Sequence, residues 1–177
     1  MATTTWVSDS AHSEISFKIK HLMITSVKGR FDQFDAKLIT DEEDFSKAEI
    51  TFTAETASIN TGVTDRDGHL RSGDFFDAET YPQIRFVSTD MRKKSNDEFE
   101  LTGDLTIRDV TKPVSLDVEF GGVVKDPYGQ TKAGFTLEGK INRKDFGLGW
   151  GALTEAGGVV VADEVKILCD VQLIKQS

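Results

Sequence analysis

The sequence predicts an all-β protein of about eight antiparallel strands, folded as a barrel or a sandwich. Three observations favour this class. Apolar and polar residues alternate with a period of two along most of the chain. Short polar segments, several with Gly or Pro, separate the alternating runs as hairpin turns do. Only the region from Thr64 to Phe76 departs from the pattern over a longer stretch.

Each predicted strand has one apolar and one polar face. In SEISFKIK, residues 13–20, Ile15, Phe17 and Ile19 share a face opposite charged and hydroxyl side chains. This alternation is typical of antiparallel strands buried on one side. The predicted inward residues of the later strands are Phe34, Ala36 and Leu38; Ile50, Phe52 and Ala54; Ile84 and Phe86; Phe99, Leu101, Leu105 and Ile107; Val114, Leu116, Val118 and Phe120; Ala133, Phe135, Leu137 and Ile141; and Val161, Val165, Ile167, Cys169, Val171 and Leu173.

Two irregularities in this pattern carry structural information. Phe31 does not share the parity of Phe34, so we predict a β-bulge at residues 32–33. Gly103 and Gly139 fall on predicted inward faces. There they either let the sheet bend sharply or leave room inside it, and both roles are expected when a sheet closes on itself.

The polar region after the third strand predicts a short helix beside the sheet. Thr64 is the predicted N-cap, and Asp65 and Asp67 would lie in the first turn, near the positive end of the helix dipole. Leu70 would be the inward contact. Two glycines within the region limit the length that we expect.

The charge and the composition exclude several classes of partner. The formal net charge is −9 and the sequence pI is about 4.8, so repulsion from phosphates argues against nucleic acid as a partner. No apolar run reaches membrane-spanning length, so we expect no integral membrane segment. The start, MATTTWVSDS, lacks the features of a signal peptide. We therefore expect a cytoplasmic protein, or a periplasmic one if a leader has been removed.

Catalytic and metal-binding motifs are not recognisable in the sequence. The three histidines, His12, His21 and His69, lack the spacing of a metal pair, and Cys169 sits mid-strand where a buried, inert thiol is usual. There is no G-x-S-x-G elbow and no phosphate-binding loop. We expect no cofactor. The shape of the interior is then the remaining guide to function. The apolar faces fit a packed core and a hollow barrel that holds a long apolar molecule equally well.

Five segments together resemble the YceI-like family. They are AHSEISFKIKHLMITSVKGRF, RDGHLRSGDFFDAETYPQIRF, GDLTIRDVTKPVSL, NRKDFGLGW and VADEVKILCDVQL. The resemblance implies a closed eight-stranded antiparallel lipocalin-like barrel with a short flanking helix, spanning residues 1–177 as a single domain. It also implies an interior that binds a polyisoprenoid or another long-chain apolar lipid, such as a fatty-acid type. Such a protein would be a binder or carrier and not an enzyme.

The predicted ligand-binding residues follow from these faces. The expected cavity lining is Phe17, Ile19, Phe34, Phe52, Phe86, Leu101, Leu105, Phe135 and Ile141. Phe146 and Trp150 are expected to close one end, while Asn142, Arg143 and Asp145 hold a tight turn. The candidate contacts to a lipid head group are Arg66, His69 and Arg71. A structural role for this polar run, with Arg71 and Asp74 tying the loop to the barrel rim, is the favoured alternative.

Two other functions stay open at this point. The chain could be an enzyme acting on a lipid-like or quinone substrate, which would require a buried group with a strongly shifted pKa, such as His12 or His21. It could also be a solid barrel serving protein partners, with an exposed apolar patch. For the lipid-binding barrel we expect either a monomer or a homodimer.

Overall fold

A computed structural model describes residues 3–21, 24–41, 44–73, 75–148 and 161–176. These residues form eleven strand segments, one α-helix and three 3-10 helices. The strands are β1 (Thr3–Ser8), β2 (Glu14–His21), β3 (Thr25–Phe31), β4 (Phe34–Asp41), β5 (Asp44–Glu55), β6 (Ile59–Asn60), β7 (Gln83–Lys93), β8 (Glu98–Ile107), β9 (Val110–Lys125), β10 (Thr131–Asn142) and β11 (Val161–Lys175). The helices are η1 (Ser10–His12), η2 (Thr56–Ser58), α1 (Thr64–Arg71) and η3 (Arg143–Phe146).

The strand segments close into an eight-stranded antiparallel barrel, which confirms the predicted fold class. Three of the eight strands are each made of two segments: β1 with β2, β3 with β4, and β5 with β6. Each strand pairs with its neighbours in the sequence, through β7, β8, β9 and β10 to β11. The last strand, β11, then pairs with both β1 and β2, which closes the ring and leaves no long free edge.

The interruption predicted at residues 32–33 is present. It is a bend of two residues between two strand segments and not a bulge of one inserted residue. β3 ends at Phe31 and β4 begins at Phe34, with an exposed bend between them. The neighbouring strand is interrupted at the same level by η2. The Asp32 N–H donates to the Ser58 carbonyl (3.1 Å), and the Glu55 N–H donates to the Gln33 carbonyl (2.9 Å). The breaks therefore match across the strand pair.

Aromatic side chains fill one end of the barrel, which we call the aromatic end. Trp6 lies 5.5 Å from Phe45, measured between ring centroids, and Phe45 lies 5.0 Å from Phe120 and 5.4 Å from Phe135. The Trp6 indole N–H donates to the Thr40 hydroxyl at 3.3 Å. Trp6 is fully buried, so this hydrogen bond satisfies a polar group that water cannot reach.

An ion network ties η1 to the hairpin between β9 and β10. The Lys132 ammonium donates to Asp9 Oδ2 at 2.8 Å and lies 3.4 Å from Asp126 Oδ2. Asp9 Oδ2 also lies 2.8 Å from His12 Nδ1. The hydrogen bond from Lys132 is the main cause that lowers the pKa of the Asp9 carboxyl below its ordinary value. This carboxyl therefore stays ionised and holds the segment that interrupts the first strand.

The opposite end, which we call the helical end, carries α1 and η3. The predicted helix is confirmed, but Thr64 is not its N-cap, because Val63 occupies that position without a side-chain hydrogen bond. The segment before the helix is held by Asp67 instead. Its Oδ1 accepts hydrogen bonds from the Thr61 N–H at 2.8 Å and from the Thr61 hydroxyl. Leu70 packs against the core as predicted. No helix among the described residues is long and apolar enough to span a bilayer.

Candidate functional site: the barrel cavity

The barrel encloses a cavity of about 420 Å³. This volume falls within the range of roughly 300–1,000 Å³ that is usual for small-molecule sites. Inward-facing side chains from all eight barrel strands, from α1 and from the loop after α1 form its wall. These side chains are predominantly aliphatic and aromatic. The interior is therefore neither a fully packed core nor a polar channel, and it resembles the small barrels that hold one ligand.

Most of the predicted lining residues lie in the cavity wall. They are Phe17, Ile19, Phe52, Phe86, Leu101, Leu105, Phe135 and Ile141. Their contact with a ligand stays a prediction. The structure adds residues that were not chosen as ligand contacts, among them Phe31, Phe45, Phe75 and Phe76. Phe75 and Phe76 follow α1 in a segment without alternation, so parity could not assign them a face.

Two predicted lining residues, Phe34 and Phe146, are not part of the cavity wall. Phe34 is half-buried beside Phe52, with ring centroids 6.4 Å apart, but it is not part of the cavity wall. Phe146 is 1 % exposed within η3 and packs in the core, also outside the wall. Neither ring borders the cavity, although Phe146 is buried and Phe34 is half-buried against the core. Trp150 lies outside the described residues.

Glycines allow large side chains to lie flat against the wall. A Cβ on Gly29 would meet the Phe17 ring at 2.4 Å, and one on Gly103 would meet the Phe86 ring at 2.4 Å. A Cβ on Gly139 would meet a Leu116 methyl at 2.3 Å. Real Cβ atoms do not approach so closely. The inward glycines therefore provide the space that these side chains occupy, and the lumen beside them stays open.

Arg66 and His69 reach the cavity from α1, whereas Arg71 does not. The Arg66 guanidinium donates to the Thr61 hydroxyl (2.8 Å) and to the Thr61 carbonyl (2.9 Å). The His69 ring stands edge-on to Phe75, with centroids 5.1 Å apart. The proposed partner of Arg71 in the structural alternative, Asp74, lies outside the described residues. Two of the three candidate head-group contacts therefore border the cavity.

Arg143 is a cavity residue that the sequence analysis assigned only to a turn. The turn itself is present: Asn142 Oδ1 accepts from the Lys144 N–H at 3.0 Å. The Arg143 side chain is buried and donates to the carbonyls of Ala162 (2.9 Å) and Leu148 (2.6 Å). It also borders the cavity. The alternating pattern ends at residue 142, so no sequence signal fixed the direction of this side chain.

Cys169 lies in the cavity wall, buried in β11. Burial raises the pKa of its thiol to about 12. Such a thiol is almost entirely protonated at neutral pH and is a poor nucleophile. The predicted burial of this residue is confirmed.

His12 does not meet the requirement of the enzymatic alternative. Its side chain is 59 % exposed and pairs with Asp9 on the outside of the barrel. It is absent from the cavity wall. Nothing is described of the His21 side chain. Within the described ranges, no group of three or more His, Cys, Asp or Glu side chains is arranged to hold a metal ion.

These features define the class of the protein as an eight-stranded meander barrel around an apolar cavity. The YceI-like domain model matches residues 6–173. A Staphylococcus aureus protein, UPF0312 protein SAS2572, is 43 % identical over 164 residues, which cover 92 % of this chain and 93 % of that protein. The chain therefore belongs to the YceI-like domain family, and the resemblance inferred from its five segments is confirmed.

Solved structures with the same architecture agree with this assignment. The crystal structure of Burkholderia cenocepacia BcnA matches with a TM-score of 0.81 and 27 % identity, over 93 % of this chain and 98 % of that one. A domain from Saccharophagus degradans, described as a polyisoprenoid binding domain, matches with a TM-score of 0.67 and 16 % identity, over 97 % of this chain and 98 % of that one. At 16 % identity the second match shows the fold alone.

Proposed function

We propose that this chain binds one long apolar lipid of the polyisoprenoid type inside the barrel and sequesters or carries it. The apolar cavity inside the closed sheet is the observation that carries the proposal. The family assignment supports it, as does the description of the Saccharophagus degradans domain as polyisoprenoid binding. A straight-chain, fatty-acid type of ligand is the alternative within the same function.

The chemistry of the wall favours a long hydrocarbon. Burying one methylene group contributes about 0.8 kcal/mol, so ten such groups supply about 8 kcal/mol. Association costs on the order of 4–15 kcal/mol before any affinity appears. A short apolar molecule could not offset that cost in a wall with few polar groups, whereas a polyisoprenoid or a long acyl chain could. Binding and not catalysis is our proposal, because the cavity-facing thiol of Cys169 is held protonated and His12 lies outside.

A pair of matched variants tests whether the lumen is the binding site. Val114 is half-buried in the cavity wall, whereas Val87 is 45 % exposed on the outer face of β7. We expect Val114→Trp to fill the lumen and to weaken binding of geranylgeraniol, a C20 isoprenoid alcohol, by tenfold or more. Val87→Trp makes the same chemical change outside the barrel and should leave binding unchanged. Binding is measured on delipidated protein by competition with a fluorescent lipid.

Extraction of the native ligand provides an independent test. Protein purified from a lipid-replete host is extracted with organic solvent, and the extract is identified by mass spectrometry. We expect a long-chain isoprenoid in a stoichiometric amount. An extract without lipid, together with delipidated protein that takes up neither geranylgeraniol nor octadecenoic acid, would overturn the proposed function.

A further inference from the structure

The few charged residues that border the apolar cavity are basic, although the protein as a whole is acidic. The chain has 30 Asp and Glu residues against 21 Lys and Arg residues. Yet the wall formed by the described residues contains no carboxylate. The charged wall members whose side chains are partly or fully buried are Arg66 and Arg143, and the wall also includes His69. Lys20 and Lys37 are exposed and alternate with the inward residues of their strands, so their ammonium groups point away from the lumen.

Both arginines and the histidine lie at the helical end. In the meander, the ends of β2, β6 and β10 all fall at the same end of the barrel. Arg66 and His69 are on α1 after β6, and Arg143 follows β10. The positive charge therefore gathers where the interior of the barrel meets α1 and η3.

Arg66 has the surroundings expected of a side chain that binds an anion. It is half-buried, and the hydrogen bonds described for it both go to neutral Thr61 oxygens. No carboxylate among the described residues forms an ion pair with it. The neighbouring Asp67 carboxylate accepts from the Thr61 N–H and hydroxyl and does not border the cavity. By contrast, Asp163 lies 3.6 Å from Arg143 and 3.4 Å from Lys144, so Arg143 has an acidic neighbour.

We propose that the helical end of the cavity binds an anionic head group, a carboxylate or a phosphate, and that Arg66 is its main contact. This inference rests on the proposed binding of a long apolar chain in the lumen and specifies the class of lipid. A guanidinium presents a planar fork of donors that fits both oxyanions. The apolar chain occupies the lumen, and the buried Arg143 borders the same end.

Matched lipid pairs test the preference for an acidic head group. The pairs are geranylgeranyl phosphate with geranylgeraniol, and octadecenoic acid with octadecenol, each titrated into delipidated protein. Within a pair the chain is constant and only the head group changes. We expect the acidic member to bind about tenfold tighter or more, because hydrogen bonds to charged groups are the stronger ones. The phosphate and carboxylate arms show which oxyanion the site prefers.

Variants on α1 assign the preference to one side chain. Arg66→Gln should reduce the acidic-to-neutral affinity ratio to near one in the better pair, whereas Arg66→Lys should retain part of it. Arg71→Gln is the matched control, since it removes the same charge from the same helix at a residue outside the cavity wall. The β-sheet circular dichroism spectrum and a cooperative thermal transition confirm that each variant is folded.

The outcomes separate the two proposals. Equal affinity for the acidic and neutral members of both pairs overturns the head-group proposal and leaves the binding function intact. Equal losses in the Arg66→Gln and Arg71→Gln variants overturn the role of Arg66, since they show a general effect of net charge. Uptake of none of the four lipids overturns the binding function itself. A preference that Arg66→Gln removes and Arg71→Gln keeps supports the proposal.

Discussion

The flat packing of rings against glycines predicts that two similar substitutions differ in their effect. In Gly29→Ala, the three atoms nearest to the new Cβ all belong to the Phe17 ring, the closest at 2.4 Å. Since ordinary contact begins at 3.4 Å, the ring must retreat by at least 1.0 Å (3.4 minus 2.4). Phe17 borders the cavity, so the ring has open space to enter. In Gly103→Ala, the Cβ also meets the Val87 carbonyl oxygen at 2.6 Å, and a backbone atom cannot swing aside.

The magnitudes follow from these contacts. Replacing Gly by Ala at a compatible backbone position stabilises by about 0.4–1 kcal/mol through the unfolded state. Displacing the Phe17 ring from its rotamer costs about 0.5–1.5 kcal/mol, so Gly29→Ala should be destabilised by about 1 kcal/mol at most. Gly103→Ala forces a strand to shift, and overpacking of this kind costs about 1–3 kcal/mol or more. The two variants should differ by about 2 kcal/mol, or roughly 4–8 °C in Tm.

The assay combines unfolding with binding. Urea unfolding gives the free energy of each variant, and titration with geranylgeraniol gives its affinity. We expect Gly29→Ala to keep its stability but to bind more weakly, because the ring now occupies part of the lumen. Gly134→Ala is the control, since a Cβ there meets nothing within 4 Å. Equal destabilisation of Gly29→Ala and Gly103→Ala would refute the reasoning, because it would mean that no open space lies beside Phe17.

Two further predictions concern titratable groups. Because burial raises the pKa of the Cys169 thiol to about 12, iodoacetamide at pH 8 should label the native protein about a thousandfold more slowly than the unfolded chain; comparable rates, followed by mass spectrometry, would contradict its burial. The hydrogen bond from Lys132 lowers the pKa of Asp9, so its stabilising contribution is present above the ordinary carboxyl pKa of about 4 and is lost as the pH falls through its lower folded value. Asp9→Asn should therefore have a lower Tm than the parent at pH 7, and the difference should shrink below about pH 4; a difference that stays constant from pH 7 to pH 3 would exclude the ionic origin.

The strands and their inward faces could be predicted because side-chain alternation is a local property of the backbone. Residues two apart on a strand must share a face, so Leu101 and Leu105 follow from the pattern alone. The same logic detected the parity change before Phe34. It assigns no face to Phe146, because η3 lies beyond the last alternating residue. It also gave no account of Phe75, which follows the helix.

The strands, the apolar faces and the resemblance to the YceI-like family could be read from the sequence, because these depend on neighbours along the chain. Tertiary structure alone decided that the barrel is hollow, since this depends on partners from different strands, such as Gly29 beneath Phe17. It also decided that Arg66 borders the cavity while Arg71, five residues later on the same helix, does not. The space inside a closed sheet is set by side chains that meet across it, and one sequence cannot specify those distances.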